Sequence, residues 1–221
     1  MESFDLSALR EGLLVFIILA SSLCLHESAH AWMALKLGDD TAASLGRITL
    51  NPVAHIDPFG TVLMPLLQIF GGFPVLGWAK PTPYNPGRFR RDVTLRRGHI
   101  SVAGAGPLSN LLLAFIFALV FAIVLRVEIP AELKTGLYST FTVGIAMNVG
   151  LAVFNLLPVP PLDGSHIASW ALPRALGEKF DSVASNYGTL ILWVLLLTGL
   201  LGTLIGPILR MVTLFIFDLI R

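Results

Sequence analysis

Cysteine and charge are both scarce in this chain. Its single cysteine, Cys24, excludes an intramolecular disulfide and leaves the redox compartment open. Charged residues make up 13% of the 221, whereas a soluble domain carries about 25%. A net charge of +1 is too small to suggest a nucleic-acid partner. Met1–Glu11 lacks both a basic leader and a small-residue cleavage site, so the first apolar run is expected to stay in the mature protein. There is no internal repeat and no low-complexity stretch. What the chain does have is apolar residues, 55% of the total, with a mean hydropathy of +0.78. They fall in runs of about 20, the length that crosses the hydrocarbon of a bilayer.

The first run, Leu6–Leu37, contains no proline and stops at Gly38-Asp39-Asp40. Thr41–Leu50 has strand character and turns at Asn51-Pro52. Phe59–Trp78 is apolar but broken by Pro65, Gly71-Gly72 and Pro74, which argues against an uninterrupted crossing. Gly77–Ile100 carries Lys80, Arg88, Arg90, Arg91, Arg96 and Arg97 against Asp92 alone, and reads as a cytoplasmic basic loop. Gly104–Leu125 and Leu137–Leu157 are helix candidates, the second stopped by Pro158, Pro160 and Pro161 just before Asp163. An amphipathic stretch, His166–Phe180, leads to a further span at Tyr187–Ile205. Pro207–Arg221 is short and either crosses or lies in the interface. The expected fold is an all-α polytopic membrane protein with about four to six membrane helices, as one domain over residues 1–221.

Within the first run, His26-Glu27-Ser28-Ala29-His30 is an H-E-x-x-H pattern on a helix. Positions four apart share a helix face, so both imidazoles can address one ion. Neutral imidazole suits zinc, and Glu27 projects at a neighbouring angle, where a carboxylate can take a proton from water. Ionisable side chains in a membrane helix are costly and usually functional, although a hydrogen-bond network or a proton relay would use the same residues. A zinc site needs a third ligand, and Asp163 is the best placed, with Gly164 beside it to allow close backbone approach. On the residues alone, Asp163 is equally readable as the cap of the helix that follows. Cys24 reads as packing, His55 and His99 as loop or interface residues, and Asn110 as a packing or capping group. His166 is close enough in sequence to hydrogen-bond a ligand.

The H-E-x-x-H helix, together with Asn155-Leu156-Leu157-Pro158-Val159-Pro160-Pro161-Leu162-Asp163-Gly164, resembles the site-2 protease family of intramembrane zinc metalloproteases. The resemblance extends to Gly46–Pro52, His55–Pro58, Ala79-Lys80-Pro81 and Ala105-Gly106-Pro107 with Asn110. It implies one Zn2+ per chain held by His26, His30 and Asp163, with Glu27 as general base. It also implies that Asn155 helps to hold the substrate or the oxyanion. Ser165-His166 departs from the Gly-Arg of many relatives, a difference at local packing rather than at the metal. The resemblance further implies a re-entrant β-hairpin or loop after the first helix. No segment is long enough for an added PDZ or CBS domain, so a minimal form is expected.

For both metal motifs to meet, the helices that carry them must end on the same side of the membrane. With the basic loop inside, the first helix runs from outside to inside, and Phe59–Trp78 dips in and returns. The expected protein therefore sits in the lipid bilayer, in a prokaryotic cell (inner) membrane, with its site towards the cytoplasm. Its expected reaction is hydrolysis of peptide bonds within or near transmembrane segments, in regulated proteolysis or in clearance of membrane remnants. The strand-like Thr41–Leu50 would offer an edge for the substrate to pair with. Two other functional classes remain. A transporter or channel for a passing metal would spread polar residues across the membrane depth. A non-catalytic relative acting as an assembly or binding partner is the other, against which the intact His26, Glu27, His30 and Asp163 argue.

Overall fold

The computed structural model describes residues 6–64, 66–67 and 78–219. Helix α1, Leu6–Lys36, is 31 residues long. It ends at Gly38, whose φ of 107° is left-handed and whose missing Cβ leaves room for the Arg90 side chain. The next residue, Asp39, is fully buried. Its carboxylate accepts from the Thr41 N–H (3.0 Å) and hydroxyl (2.5 Å), and from the Asn85 N–H (2.5 Å). One carboxylate thus ties the end of α1 to the segment that returns 46 residues later.

The strand expected at Thr41–Leu50 is not there. Asp39 captures the Thr41 amide and starts a single helical turn, α2, Thr41–Ser44. Gly46 then turns left-handed (φ 69°), and the Arg47 N–H bonds back to the Ala42 carbonyl at 2.9 Å. Local bonds thus take up the amides of Thr41, Ser44, Gly46 and Arg47. Among the described residues there is no strand, so Thr41–Leu50 does not supply the expected strand edge for a substrate.

The chain then makes an excursion that closes at its base. Asp57 caps a short wide-turn helix, Pro58–Leu63, by accepting from the Phe59 and Gly60 amides. At the far end of the excursion the Trp78 N–H donates to the Gly60 carbonyl (3.2 Å), and the Thr61 hydroxyl donates to the Trp78 carbonyl (2.8 Å). The Arg90 N–H then reaches the Leu37 carbonyl (2.8 Å). The described ends of the connection between α1 and the next long helix therefore lie at the same end of the bundle. Pro65 and Gly71–Pro74, the expected breakers of the dip, lie outside the described residues.

Helix α3, Leu95–Arg126, starts nine residues before the apolar run, because Thr94 caps it by accepting from the Arg97 amide. Its buried face is a stripe at four-residue spacing: Gly98, Val102, Gly106, Asn110, Ala114, Ala118 and Ala122. Small side chains let neighbouring backbones approach closely where lipid supplies no hydrophobic drive between helices. Against this stripe pack α1 and α4, Ala131–Asn155, with Ile145 and Val149 of α4 fully buried. Helix α5, Asp163–Ala171, follows the proline-rich turn.

The expected span Tyr187–Ile205 is instead divided. Gly199, left-handed at φ 72°, separates α6, Arg174–Leu197, from α7, Leu200–Leu219. Pro207 lies inside α7, so the piece expected to be short belongs to a 20-residue helix. Five of these helices are long and apolar enough to cross a membrane: α1, α3, α4, α6 and α7. The distribution of polarity is inverted relative to a soluble bundle. Leu108, Leu112, Ile116, Leu119 and Ile123 of α3 face outward, while Ser22, His26, His30, Asn110 and Asn148 are buried. That is how a bundle solvated by hydrocarbon arranges its side chains.

Asp39→Ala leaves three donors without their acceptor. It should lower stability by about 3 kcal/mol, while Asp39→Asn, which keeps one acceptor oxygen, should lose less. Unfolding of the purified variants in detergent measures both.

Candidate metal centre

Four elements converge on the C-terminal half of α1. His26 and His30 are one helical turn apart, with Nε2 atoms 3.1 Å from each other. Asp163, the first residue of α5, places Oδ2 3.1 Å from His26 Nε2 and 3.4 Å from His30 Nε2. The proline-rich turn after α4 thus delivers the carboxylate to the two imidazoles, as the motif comparison implied. The helices bearing the two motifs also end at the same end of the bundle.

The protonation of this trio follows from what lies behind it. Asn148 Nδ2 donates to the Gly144 carbonyl (2.9 Å), which turns Asn148 Oδ1 towards Asn110. Asn110 Nδ2 donates to that oxygen (3.0 Å) and lies 3.4 Å from the Ser22 carbonyl. Asn110 Oδ1 therefore faces His26 Nδ1 at 2.6 Å and accepts its proton. His30 Nδ1 donates likewise to the Val102 carbonyl at 2.7 Å. With both Nδ1 atoms donating, each imidazole in its metal-binding, neutral form turns a bare Nε2 lone pair towards the other and towards the carboxylate. Asp163 Oδ2 is buried and has no hydrogen-bond partner of its own. Three acceptors at such distances repel one another unless a cation lies among them. An extra proton would serve only one edge at a time, whereas a metal ion serves all three.

The spacing fits zinc. Bonds of about 2.0–2.1 Å in tetrahedral geometry place neighbouring ligand atoms roughly 3.3 Å apart. The space is kept open by Gly106, where a Cβ would lie 2.4 Å from His30 Nε2 and 2.6 Å from His26 Nε2. Gly164, which the sequence suggested for that purpose, instead packs against the backbone of Leu156 and Leu157.

Two carboxylates stand close enough to be considered as ligands. Glu27 has an oxygen within 4.8 Å of the imidazole nitrogens, but its Oε2 already accepts the Thr82 N–H at 2.9 Å. The orphaned oxygen is that of Asp163. Both line a cavity of about 340 Å³ bounded by Trp78, Pro81, Tyr84, Leu151, Phe154 and Asn155. Asn155 ends α4 with Nδ2 donating to the Leu151 carbonyl (2.9 Å), so it faces the cavity without touching the trio. Burial, and then the negative charge of Asp163, raise the pKa of the Tyr84 hydroxyl above its ordinary value.

The remaining candidates separate cleanly. Cys24 and Ser28 both reach the Thr49 carbonyl, at 3.4 and 2.6 Å. His55 is buried with Nε2 3.1 Å from that same oxygen. His99 stacks on Trp170 at 4.3 Å and bonds the Tyr84 hydroxyl at 2.8 Å. His166 is exposed at the cavity rim and makes no hydrogen bond to Asp163 among the described residues. The sequence assigns no site role to Asn148, the Val102 carbonyl, Gly106 or Thr82, and gives Asn110 as a packing or capping group. For the two asparagines the signal existed, since an amide inside an apolar run must find a partner.

Residues 14–198 match peptidase family M50. The chain belongs to that family, the site-2 proteases of the motif comparison. It is 43% identical over 196 residues to YwhC of Bacillus subtilis, named as a candidate zinc metalloprotease, covering 88% of this chain and 84% of that one. Rip2 of Mycolicibacterium smegmatis, named in the same way, is 34% identical over 85% of this chain and 70% of its own. The zinc metalloprotease MJ0392 of Methanocaldococcus jannaschii is 27% identical over 92% of this chain, which spans 47% of that longer protein. No solved structure matches the chain. With five helices fit to cross a bilayer, this M50 chain is an integral, multi-pass membrane protein.

Asn110→Ala removes the acceptor that orients His26. The variant should bind zinc about 10- to 100-fold more weakly than wild type, read by competition with a chromophoric chelator.

Proposed function

We propose that the chain is an intramembrane zinc metalloendopeptidase that hydrolyses peptide bonds within or near transmembrane segments of other membrane proteins. The observation that carries this reading is the meeting of three bare acceptors, His26 Nε2, His30 Nε2 and Asp163 Oδ2, beside a carboxylate that is not a fourth. One Zn2+ per chain, held by those three, would supply Lewis-acid polarisation of the scissile carbonyl and activation of water. Glu27, with Oε2 held by Thr82, takes the proton of the attacking water on its other oxygen and returns it to the leaving amine. Asn155 has one amide hydrogen committed to Leu151, and its second is left to donate to the developing oxyanion. Leu151, Phe154 and Leu162 give the cavity an apolar wall suited to the side chains of a membrane-spanning substrate. That substrate must be locally unwound, because a helix shields its own amides.

The metal centre lies at the end of the bundle that carries Arg88, Arg90, Arg91, Arg96 and Arg97, where α3 starts. An excess of arginine in a connecting segment is a mark of the cytoplasmic side, which supports a site facing the cytoplasm, here in a prokaryotic cell (inner) membrane. Residues 1–221 are taken as one protease domain, with regulated proteolysis or clearance of membrane remnants as its role. The concentration of buried polar groups at one end favours this over a transporter.

Co-expression of wild type and Glu27→Gln with a panel of single-span membrane proteins tests the reading. Wild type should cleave at least one of them, and the variant about 10²- to 10⁴-fold more slowly while retaining its zinc. Indistinguishable cleavage in the two would end the protease assignment.

A further inference from the structure

We infer that the tripeptide Pro81-Thr82-Pro83 aims the Glu27 carboxylate, with Thr82 as a positioning residue acting through its backbone N–H. The inference rests on the reading of Glu27 as general base. Proline has no N–H, so this tripeptide owns a single amide donor. That donor goes to Glu27 Oε2 at 2.9 Å. The hydroxyl of the same residue donates to the Glu27 carbonyl oxygen at 3.1 Å. Thr82 therefore grips both the backbone and the tip of one flexible side chain. Two fixed φ angles flank the grip, so the ordering of Glu27 costs the tripeptide little further entropy.

The segment that carries the clip is anchored on both sides. Before it, Trp78 is tied to Gly60 and Thr61, and the Lys80 N–H donates to the His55 carbonyl at 2.9 Å. His55 is itself buried and bonded to the Thr49 carbonyl. After it, the Asn85 N–H ends on the buried Asp39. Trp78–Asn85 contains neither helix nor strand, and its Trp78, Ala79, Pro81, Thr82 and Tyr84 form one wall of the cavity. Because these anchors reach α1 and the loop behind it, the clip is a fixed wall and not a moving lid. It commits Oε2 to the wall and leaves the other carboxylate oxygen as the one that exchanges protons with water. Thr82 touches neither metal ligand nor reacting atom, so its effect passes through Glu27.

Two measurements on the full-length protein in vesicles test this. Hydrogen exchange resolved to single residues reports the Thr82 amide, the lone exchangeable backbone proton between the two prolines. Glu27→Ala should speed its exchange about tenfold or more, the loss expected for a charge-assisted hydrogen bond, and an unchanged rate would refute the contact. In cleavage of a single-span substrate, Thr82→Ser should behave as wild type and Thr82→Val should lose about fivefold in kcat. Thr82→Pro, which removes the N–H, should lose about a hundredfold in kcat with KM and zinc content unchanged. A Thr82→Pro enzyme with wild-type kcat, or one changed in KM alone, overturns the proposal. If that variant does not fold, the exchange rates decide. Wild type and Glu27→Gln are run alongside. If those two cleave alike, the reading of Glu27 has failed, whereas a clear difference between them with an inert Thr82→Pro means that the clip alone has failed.

Discussion

Bringing two imidazole nitrogens and a carboxylate oxygen within 3.4 Å of one another, with no proton assigned between them, imposes a demand on the whole bundle. Such a cluster is unstable by itself in a medium of low dielectric, and a metal ion relieves it. Each of the three donors must also be held from behind. Asn110, fixed in turn by Asn148, holds His26, and the Val102 carbonyl holds His30. Asp163 is delivered by the turn after α4, where Gly164 nestles against the Leu156 and Leu157 carbonyls. Helices α1, α3, α4 and α5 are therefore fixed relative to one another by the geometry of one site.

The stripe along α3 serves that same end. Gly98, Val102, Gly106, Asn110, Ala114, Ala118 and Ala122 occupy one face. Its lower part is plain packing against Ile145, Val149 and Ile216. In the middle the same face changes chemistry, with Gly106 making room at the trio and Asn110 supplying its acceptor. Packing and ligand orientation are thus built on one four-residue period, which is also the spacing of His26 and His30 on the facing helix.

Much of this was legible in one dimension. Composition gave a membrane bundle, and the last residue of the first run, Leu37, lies one residue past the end of α1. The pairing of His26-Glu27-x-x-His30 with Asp163 pointed to residues that lie 3.1–3.4 Å apart in space. Local patterns failed where a distant group or a backbone conformation competed with them. Thr41–Leu50 has a strand-like composition, but Asp39 and Gly46 fold it into turns. Tyr187–Ile205 is continuously apolar, yet Gly199 cuts it, because hydropathy does not register a left-handed φ.

The sequence by itself determined the chemistry that is possible here: two histidines on one helix face, a carboxylate beside them, and a second carboxylate after a helix-stopping run of prolines. Those are consequences of residue type and short-range spacing. Only the tertiary structure decided which proton sits where and which glycine makes room. It also decided that Glu27 is committed to Thr82 while Asp163 Oδ2 is left without a donor. These depend on contacts between residues 38 to 88 positions apart, between His26 and Asn110, Asn110 and Asn148, Thr82 and Glu27, or Asn110 and Ser22. No periodicity in the chain encodes such pairs, because they exist only once the helices have packed.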